Sequence, residues 1–537
     1  MTKTFLTLDG VSCILPDGRA LFADLHETFD ERATGLVGRN GTGKSVLAQI
    51  LAGRREPTLG RCVRKGRIHY LAQRVAEDAD ESVAALAGVN HVLAALDRIA
   101  SGNSDPNDFD TVGEHWDMHD RLRDALNSVA LEHVDIHAKV SALSGGEAMR
   151  VALLGARLND ADYLILDEPS NHLDGVSRAA LRQWLRAWHG GLLVVSHDRE
   201  LLGDMQRIVE LSPSGLRSYG GNFAFYAETR RNERDAAQRT LDASRIERRR
   251  GEKALREQRE RQTRRQARGR RDASDANQAP ILLGGQKNRS ESSAGRLRQR
   301  QDALREALSA KVSQAALGVE HNVAPALLVP SAERVTRKKV AALEHVVLPF
   351  VRGATREIDL VLAGGQRLGV TGPNGSGKSV LMQVLAGRLA PLSGEVHVSV
   401  RSAWLDQRLS TLDPMLPLID QMRDVATSES EDSLRLRLAL IGLEADKIRV
   451  PTGLLSGGER LKGALLHALI AEPPTPLLLL DEPGNHLDIA SLDALETMLQ
   501  HYEGTLVVVS HDEVFLDRLD LTDRLSPTAD GWRMQPW

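Results

Sequence analysis

Gly38-Arg-Asn-Gly-Thr-Gly-Lys-Ser45 and Gly372-Pro-Asn-Gly-Ser-Gly-Lys-Ser379 are two copies of one eight-residue pattern, with their lysines 334 residues apart. Each follows an apolar run of strand character (residues 33–37 and 367–371) and precedes a helix-permissive segment. In that setting glycines turn successive backbone N–H groups towards phosphate oxygens at a helix N-terminus. The pattern puts Gly38, Asn40, Gly41, Gly43 and Lys44 around the phosphates of one nucleotide, and Gly372, Asn374, Gly375, Gly377 and Lys378 around those of a second. Ser45 and Ser379 are the hydroxyls expected to ligate Mg2+.

The repeat extends beyond these loops. After each lysine comes a glutamine (Gln73, Gln407), then Leu-Ser-Gly-Gly-Glu from Leu143 and Leu455, then Leu-Asp-Glu-Pro from Leu166 and Leu480, then Ser-His-Asp from Ser196 and Ser510. Lysine to glutamine is 29 residues in both halves, and aspartate to histidine is 30 in both. Glutamine to signature serine is 71 residues in the first half and 49 in the second, so the first carries 22 more. Residues 97–116, with Ser-Gly-Asn-Ser-Asp-Pro-Asn-Asp inside them, read as a polar loop accounting for that excess.

The acidic pairs end continuous apolar runs, the pattern of strands buried on both faces of a parallel sheet, where ligands gather at the strand ends. Asp167 and Asp481 suit direct or indirect Mg2+ binding, while Glu168 and Glu482 are placed as general bases towards the attacking water. His197 and His511, after another buried-type strand, read as γ-phosphate contacts because their interval repeats.

Leu143-Ser-Gly-Gly-Glu147 and Leu455-Ser-Gly-Gly-Glu459 resemble the signature of ATP-binding cassette proteins, over nearly the whole chain. The resemblance implies an α/β fold of two phosphate-loop cassettes that close head to tail. Ser456 and Gly458 would then cap the ATP on Lys44, and Ser144 and Gly146 the ATP on Lys378. It also implies that Gln73 and Gln407 sense Mg2+ and the attacking water. Asp-Glu-Pro-Ser-Asn-His-Leu-Asp (167–174) and Asp-Glu-Pro-Gly-Asn-His-Leu-Asp (481–488) resemble the ABC-F subfamily, whose members lack membrane domains and generally act on the ribosome, their linker reaching towards peptidyl-tRNA. The chain departs from that pattern at Ser170 and Gly484, where threonine is usual, and Gly484 loses the hydroxyl. Phe350 is a candidate to stack on adenine in the second half; the first half reads Ile14-Leu15-Pro16 there.

Between the halves, residues 230–311 hold 24 Lys plus Arg against 12 Asp plus Glu, which leaves the rest of the chain near −16 within a net charge of −4. Leu297, Leu304, Leu308 and Val312 recur at helical spacing, and Pro280 with Gly284-Gly285 interrupts the run, so a helical hairpin turning within 272–290 is expected. Its charge is carried mostly by arginine, whose planar fork of donors suits phosphate and base faces. Arg264, Arg265, Arg268, Arg270, Arg271, Lys287 and Arg289 are the candidate RNA contacts. The expected division is a cassette over 4–228, a basic helical linker over 229–334 and a second cassette over 335–537.

Composition fits several domains: 537 residues exceed one core, and 42% hydrophobic with 26% charged is ordinary for globular chains. Two cysteines, Cys13 and Cys62, give neither a disulfide framework nor a zinc site. No apolar run reaches 18 residues and the first residues lack a signal-peptide pattern, so a cytoplasmic monomer is expected, its cassettes pairing within one chain. Two other readings stand beside ribosome action: the ATPase subunit of a transporter with separate membrane subunits, and an ATP-gated nucleic-acid scaffold.

Overall fold

The computed structural model describes residues 5–72, 81–171, 173–275, 299, 301–316, 339–406, 409–473, 475–485 and 487–537, and within these not the side chains of 259, 262, 265, 266 and 269–275. The chain divides into two compact units, Met1–Tyr226 with Val323–Trp537, and Ala227–Asn322.

The first unit contains the same plan twice. In one half the strand order is Ile68–Leu71, Tyr163–Asp167, Gly191–Val195, Thr34–Gly38, Arg207–Ser212, Gly215–Gly220; in the other it is Ser402–Leu405, Leu477–Asp481, Thr505–Val509, Arg367–Val370, Asp523–Thr528, Gly531–Pro536. Pairing is parallel except at the last strand of each sheet. Tyr163–Asp167 and Leu477–Asp481 are buried at every position, because helices cover one face and the phosphate-loop helix, Lys44–Leu51 or Lys378–Leu385, together with a three-stranded antiparallel sheet covers the other. Those smaller sheets run Ala20–Phe29, Phe5–Ile14, Leu59–Lys65 and Glu357–Leu362, Ala341–Val347, Ser393–Val398.

Strand order positions the chemistry. The phosphate-loop strand lies next to Gly191–Val195, which lies next to Tyr163–Asp167, with Leu36 opposite Val195 and Val195 opposite Asp167. Three loops, those after Gly38, Asp167 and Val195, therefore leave adjacent carboxyl ends of one parallel sheet, where the strand order reverses and a crevice forms. Side chains such as Phe29, Leu36, Leu47, Ile50 and Tyr163 are essentially inaccessible between the layers, and each contributes about 1.5–3 kcal/mol by burial.

The 22 extra residues of the first half are not a polar loop. The structure has helices Asn90–Ala100, Pro106–Val112 and Met118–Ser128 there. The Asp and Asn residues cap and brace these helices: Asp105 accepts from the Asn107 N–H at 3.0 Å ahead of Pro106, and buried Asp108 accepts from Arg98 Nε at 3.1 Å. Such residues favour helix N-termini for the same local hydrogen bonding that makes them frequent in loops. Met118, Leu122 and Leu126 then pack on Val83, Val151 and Leu154.

The second unit is built on the helix Phe223–Asp275 and a helical stretch at 301–316. Lys311 Nζ donates to Glu247, and Gln301 Nε2 donates to Gln258 Oε1 at 3.4 Å, so the two stretches run antiparallel. The expected hairpin turn falls mostly on 276–298, outside the described residues. Of the leucines expected to form its seam, Leu308 is buried against Gly251, whereas Leu304 is 48% exposed. Among the described residues no helix is long and apolar enough to cross a membrane.

Candidate active site

Each phosphate loop ends in a helix, Lys44–Leu51 or Lys378–Leu385, entered through a left-handed glycine, Gly43 at φ 96° and Gly377 at φ 96°. A Cβ on Gly43 would lie 2.6 Å from Leu21 Cδ2 and one on Gly377 2.8 Å from Val351 Cγ2, so both conformation and space demand glycine. Lys44 Nζ donates to the carbonyls of Gly38 (2.9 Å) and Arg39 (3.1 Å), and Lys378 Nζ to those of Gly372 (2.8 Å) and Pro373 (2.9 Å). Both ammonium groups are buried, and burial lowers their pKa from the ordinary lysine value, with nearby carboxylates opposing.

The Ser45 hydroxyl lowers the pKa of the Asp167 carboxyl and the Ser379 hydroxyl that of Asp481, each opposing the larger rise caused by burial. Tyr70, a residue without a sequence signal, also donates to Asp167 Oδ2 at 3.4 Å. Asp167 Oδ1 and Asp481 Oδ1 are buried and have no hydrogen-bond partner among the described residues. A serine hydroxyl beside a carboxylate with a spare buried oxygen is a hard oxygen donor set that fits Mg2+.

Glu168 and Glu482 both sit at φ 50°, a left-handed conformation held by Glu168 N–H donating to Val195 O (2.8 Å) and Glu482 N–H to Val509 O (2.9 Å). Strain of this kind costs about 1–3 kcal/mol and persists where the surroundings enforce it, chiefly at functional sites. Burial pushes the Glu168 carboxyl up to about 8, against the Lys44 charge; burial pushes Glu482 up to about 7, with Arg178 the foremost opposing charge. His197 Nε2 lies 3.4 Å from Glu168 Oε1 and His511 Nε2 3.5 Å from Glu482 Oε1. Burial drives the imidazoles down to about 3 and about 4, so both are neutral near pH 7.

The two halves meet reciprocally. Asn40 N–H donates to Asp488 Oδ2 at 2.9 Å, and Asn374 N–H to Asp174 Oδ2 at 3.1 Å. The other oxygen of each aspartate caps the following helix, Asp488 Oδ1 accepting from Ser491 N–H (2.8 Å) and Asp174 Oδ1 from Ser177 N–H (2.9 Å). Those serines abut the signature glycines so closely that a Cβ on Gly458 would lie 2.7 Å from Ser491 Oγ and one on Gly146 2.3 Å from Ser177 Oγ. Each phosphate loop is thereby linked to the signature of the opposite half through one aspartate. Ser144 and Ser456 cap their helices in reciprocal boxes with Glu147 and Glu459. A buried ion pair adds to this interface, Arg199 (3% exposed) with Glu496 (6%), and Arg199 Nη2 also donates to Asp493 Oδ1 at 2.9 Å.

A cavity of about 370 Å3 marks the second site, lined by Lys378, Ser379, Asp481, Glu482 and His511, by the 89% exposed Phe350 at its rim, and by Leu173 and Arg178 from the first half. Gln73 and Gln407 lie outside the described residues. In the second unit Arg264 and Arg268 are exposed on Phe223–Asp275; the side chains of Arg265, Arg270 and Arg271, and Lys287 and Arg289 altogether, are outside the described residues. Asp174, Asp488, Arg178, Arg199 and Glu496 were not singled out from sequence. The repeated Asn-His-Leu-Asp carried a signal for the two aspartates; the others differ between the halves and carried none.

Paired lysine loops, each bonded to an aspartate of the other half that caps the helix beside that half's Leu-Ser-Gly-Gly-Glu, define a tandem phosphate-loop ATPase. The family model described as ABC transporter matches residues 27–171 and 355–485, and the chain belongs to the ATP-binding cassette family, in its ABC-F subfamily. It is 30% identical to the energy-dependent translational throttle protein EttA of Mycobacterium tuberculosis, over 90% of this chain and 84% of that one. It is 28% identical to the ATP-binding protein Uup of Haemophilus influenzae, over 92% of this chain and 74% of that one. Among solved structures, the RNase-L inhibitor matches with a TM-score of 0.57 at 20% identity, over 98% of this chain and 90% of that one, a likeness of fold. The chain is an ATP hydrolase that binds ATP in its cassettes.

Proposed function

We propose that this ATPase acts on the ribosome, with ATP-driven closure of its cassettes setting the placement of an arginine-rich helical linker that reaches towards peptidyl-tRNA. The observation that carries the proposal is the second unit, whose long helix carries exposed Arg264 and Arg268 in a segment of about +12 net charge while the rest of the chain is acidic. EttA, a relative by most of its length, is named a translational throttle. The domains under this reading are 4–228, 229–334 and 335–537, acting as a cytoplasmic monomer.

Lys44 and Lys378 release their own loop carbonyls to hold the β- and γ-phosphates, and Asn40 and Asn374 keep the loops docked on Asp488 and Asp174. Ser456 and Gly458 cap the phosphates on Lys44, and Ser144 and Gly146 those on Lys378. Mg2+, held by Ser45 and Asp167 or by Ser379 and Asp481, with Gln73 and Gln407 completing each set, would neutralise charge on the β- and γ-oxygens. Glu168 and Glu482 orient and deprotonate the attacking water, and neutral His197 and His511 hold the γ-phosphate and those glutamates in register. Hydrolysis removes the γ-phosphate that bridges the halves, and the interface opens.

The test is the double variant Glu168→Gln, Glu482→Gln. It should bind ATP, stop multiple turnover and co-sediment with ribosomes in ATP; a variant that stays in the ribosome-free fraction refutes the proposal. Deleting 230–311 should then weaken ribosome binding in a salt-sensitive way while ATP binding persists.

A further inference from the structure

Across the interface the second ATP site receives a charge whose counterpart in the other half is an uncharged side chain. Matching 167–174 with 481–488 sets Arg178 of the first half against Leu492 of the second. Arg178 lines the cavity that holds Lys378, Glu482 and His511, although it belongs to the helix Gly175–Arg186 of the other half. Its guanidinium is fixed from behind: Nε donates to Leu173 O at 3.1 Å and Nη1 lies 3.6 Å from Asp198 Oδ2, with side chains only 15% and 10% exposed. Leu492, by contrast, is buried, with Cδ1 3.4 Å from where a Cβ on Gly484 would sit. At the equivalent position, among the described residues, the first site therefore meets an aliphatic side chain instead of a cation.

We infer that Arg178 acts in trans at the second ATP site, placing its guanidinium against the γ-phosphate beside Glu482, so that hydrolysis there is faster than at the first site. An arginine that arrives only on closure adds positive charge where negative charge is redistributed in the transition state, and its planar fork matches phosphoryl oxygens better than a lysine does. Arg178 also pairs with Asp198, the residue after His197. It thus touches the histidine loop of the first site and the cavity of the second, which couples the two. The same charge already bears on the second site's groups, lowering both Glu482 and His511 relative to what burial alone would give.

The inference rests on reading Glu168 and Glu482 as the bases, so the experiment separates the two ideas. Single-site enzymes are made with Glu168→Gln, leaving the second site, or Glu482→Gln, leaving the first. Into each go Arg178→Leu, copying the other half, and Arg178→Lys; kcat and KM for Mg-ATP are measured. In the Glu168→Gln background Arg178→Leu should lower kcat about tenfold or more with KM changed less than about threefold, and Arg178→Lys should restore part of the loss. The effect in the Glu482→Gln background should be at least tenfold smaller, and since the same substitution is present, misfolding would abolish that difference. Equal losses in the two backgrounds, or none in either, overturn the role of Arg178. A double Glu168→Gln, Glu482→Gln enzyme that still turns over at the parental rate overturns the base assignment instead.

Discussion

Replacing Glu496 by Leu tests whether the buried pair Arg199–Glu496 holds the cassettes together. The guanidinium is 3% exposed and the carboxylate 6%. Removing one partner of such a pair leaves a desolvated charge and costs about 3–5 kcal/mol. Arg199 retains Asp493 at 2.9 Å, and that carboxylate is 46% exposed, so the lower end, about 3 kcal/mol, applies. Because every 1.4 kcal/mol is tenfold, this amounts to about a 100-fold shift towards separated halves. If hydrolysis at each site uses residues of both halves, as proposed above, kcat/KM for Mg-ATP should fall by up to that factor, with the expressed protein still folded by circular dichroism. Arg199→Met should impair it less, because Glu496 keeps Arg518 Nη1 at 2.9 Å, and the pair Arg199→Met, Glu496→Leu should be less impaired than the sum of the two, since a hydrophobic pair of similar volume leaves no buried unpaired charge. Single variants within about twofold of the parent, or a double variant as poor as the sum, would refute the reasoning.

Gly43→Ala should weaken nucleotide binding at the first site by tenfold or more, measured by titration in a Glu482→Gln background, because the added methyl meets Leu21 and the φ of 96° disfavours any side chain. Gly146→Ala puts a carbon 2.3 Å from Ser177 Oγ and should displace the first-half signature from the second site, so turnover in the Glu168→Gln background should drop while binding to Lys44 is retained. Ser144→Ala removes a capping box and should cost about 1 kcal/mol, read as a fall of roughly 2–4 °C in Tm of the first cassette. Lys311→Ala breaks an ion pair whose partners are 57% and 51% exposed, and should change linker stability in thermal circular dichroism by less than about 1 kcal/mol.

The sheet and its ligand-bearing edge were legible in the sequence because their signals are local. A continuous run such as Leu477–Asp481 needs no partner to be recognised as a strand covered on both faces, and the lysine loop carries its backbone demands in its own glycines. The insertion failed for a local reason as well. Asp105, Pro106 and Asp108 have one composition whether they cap a helix or fill a loop, and what decided the matter was Arg98 ten residues earlier and the packing of Met118 and Leu122. The cross-interface contacts were illegible for another cause, since Asn40 and Asp488 are 448 residues apart and Arg199 and Glu496 are 297 apart.

Differences between the halves carry more information here than the repeat does. Under the correspondence that equates Arg178 with Leu492, Arg199 corresponds to Glu513 and Glu496 to Arg182. The pair Arg199–Glu496 therefore has a charge-reversed mate, and Arg182 and Glu513 turn instead to partners in their own halves, Asp204 and Arg524. Two first halves from separate chains would set buried Arg199 against Arg182, and two second halves would set buried Glu496 against Glu513; each arrangement brings like charges together and leaves the buried one without a counter-charge. Only a first half with a second half satisfies Arg199, which favours pairing within one chain and argues that the interface was shaped against homotypic association. It follows that an isolated first half, residues 1–228, should remain monomeric with ATP even when it carries Glu168→Gln, a variant that in a symmetric cassette would favour a closed dimer. Sedimentation equilibrium at micromolar protein with Mg-ATP decides it. An ATP-dependent dimer of that fragment would show that the Arg199 contact does not discriminate between like and unlike halves.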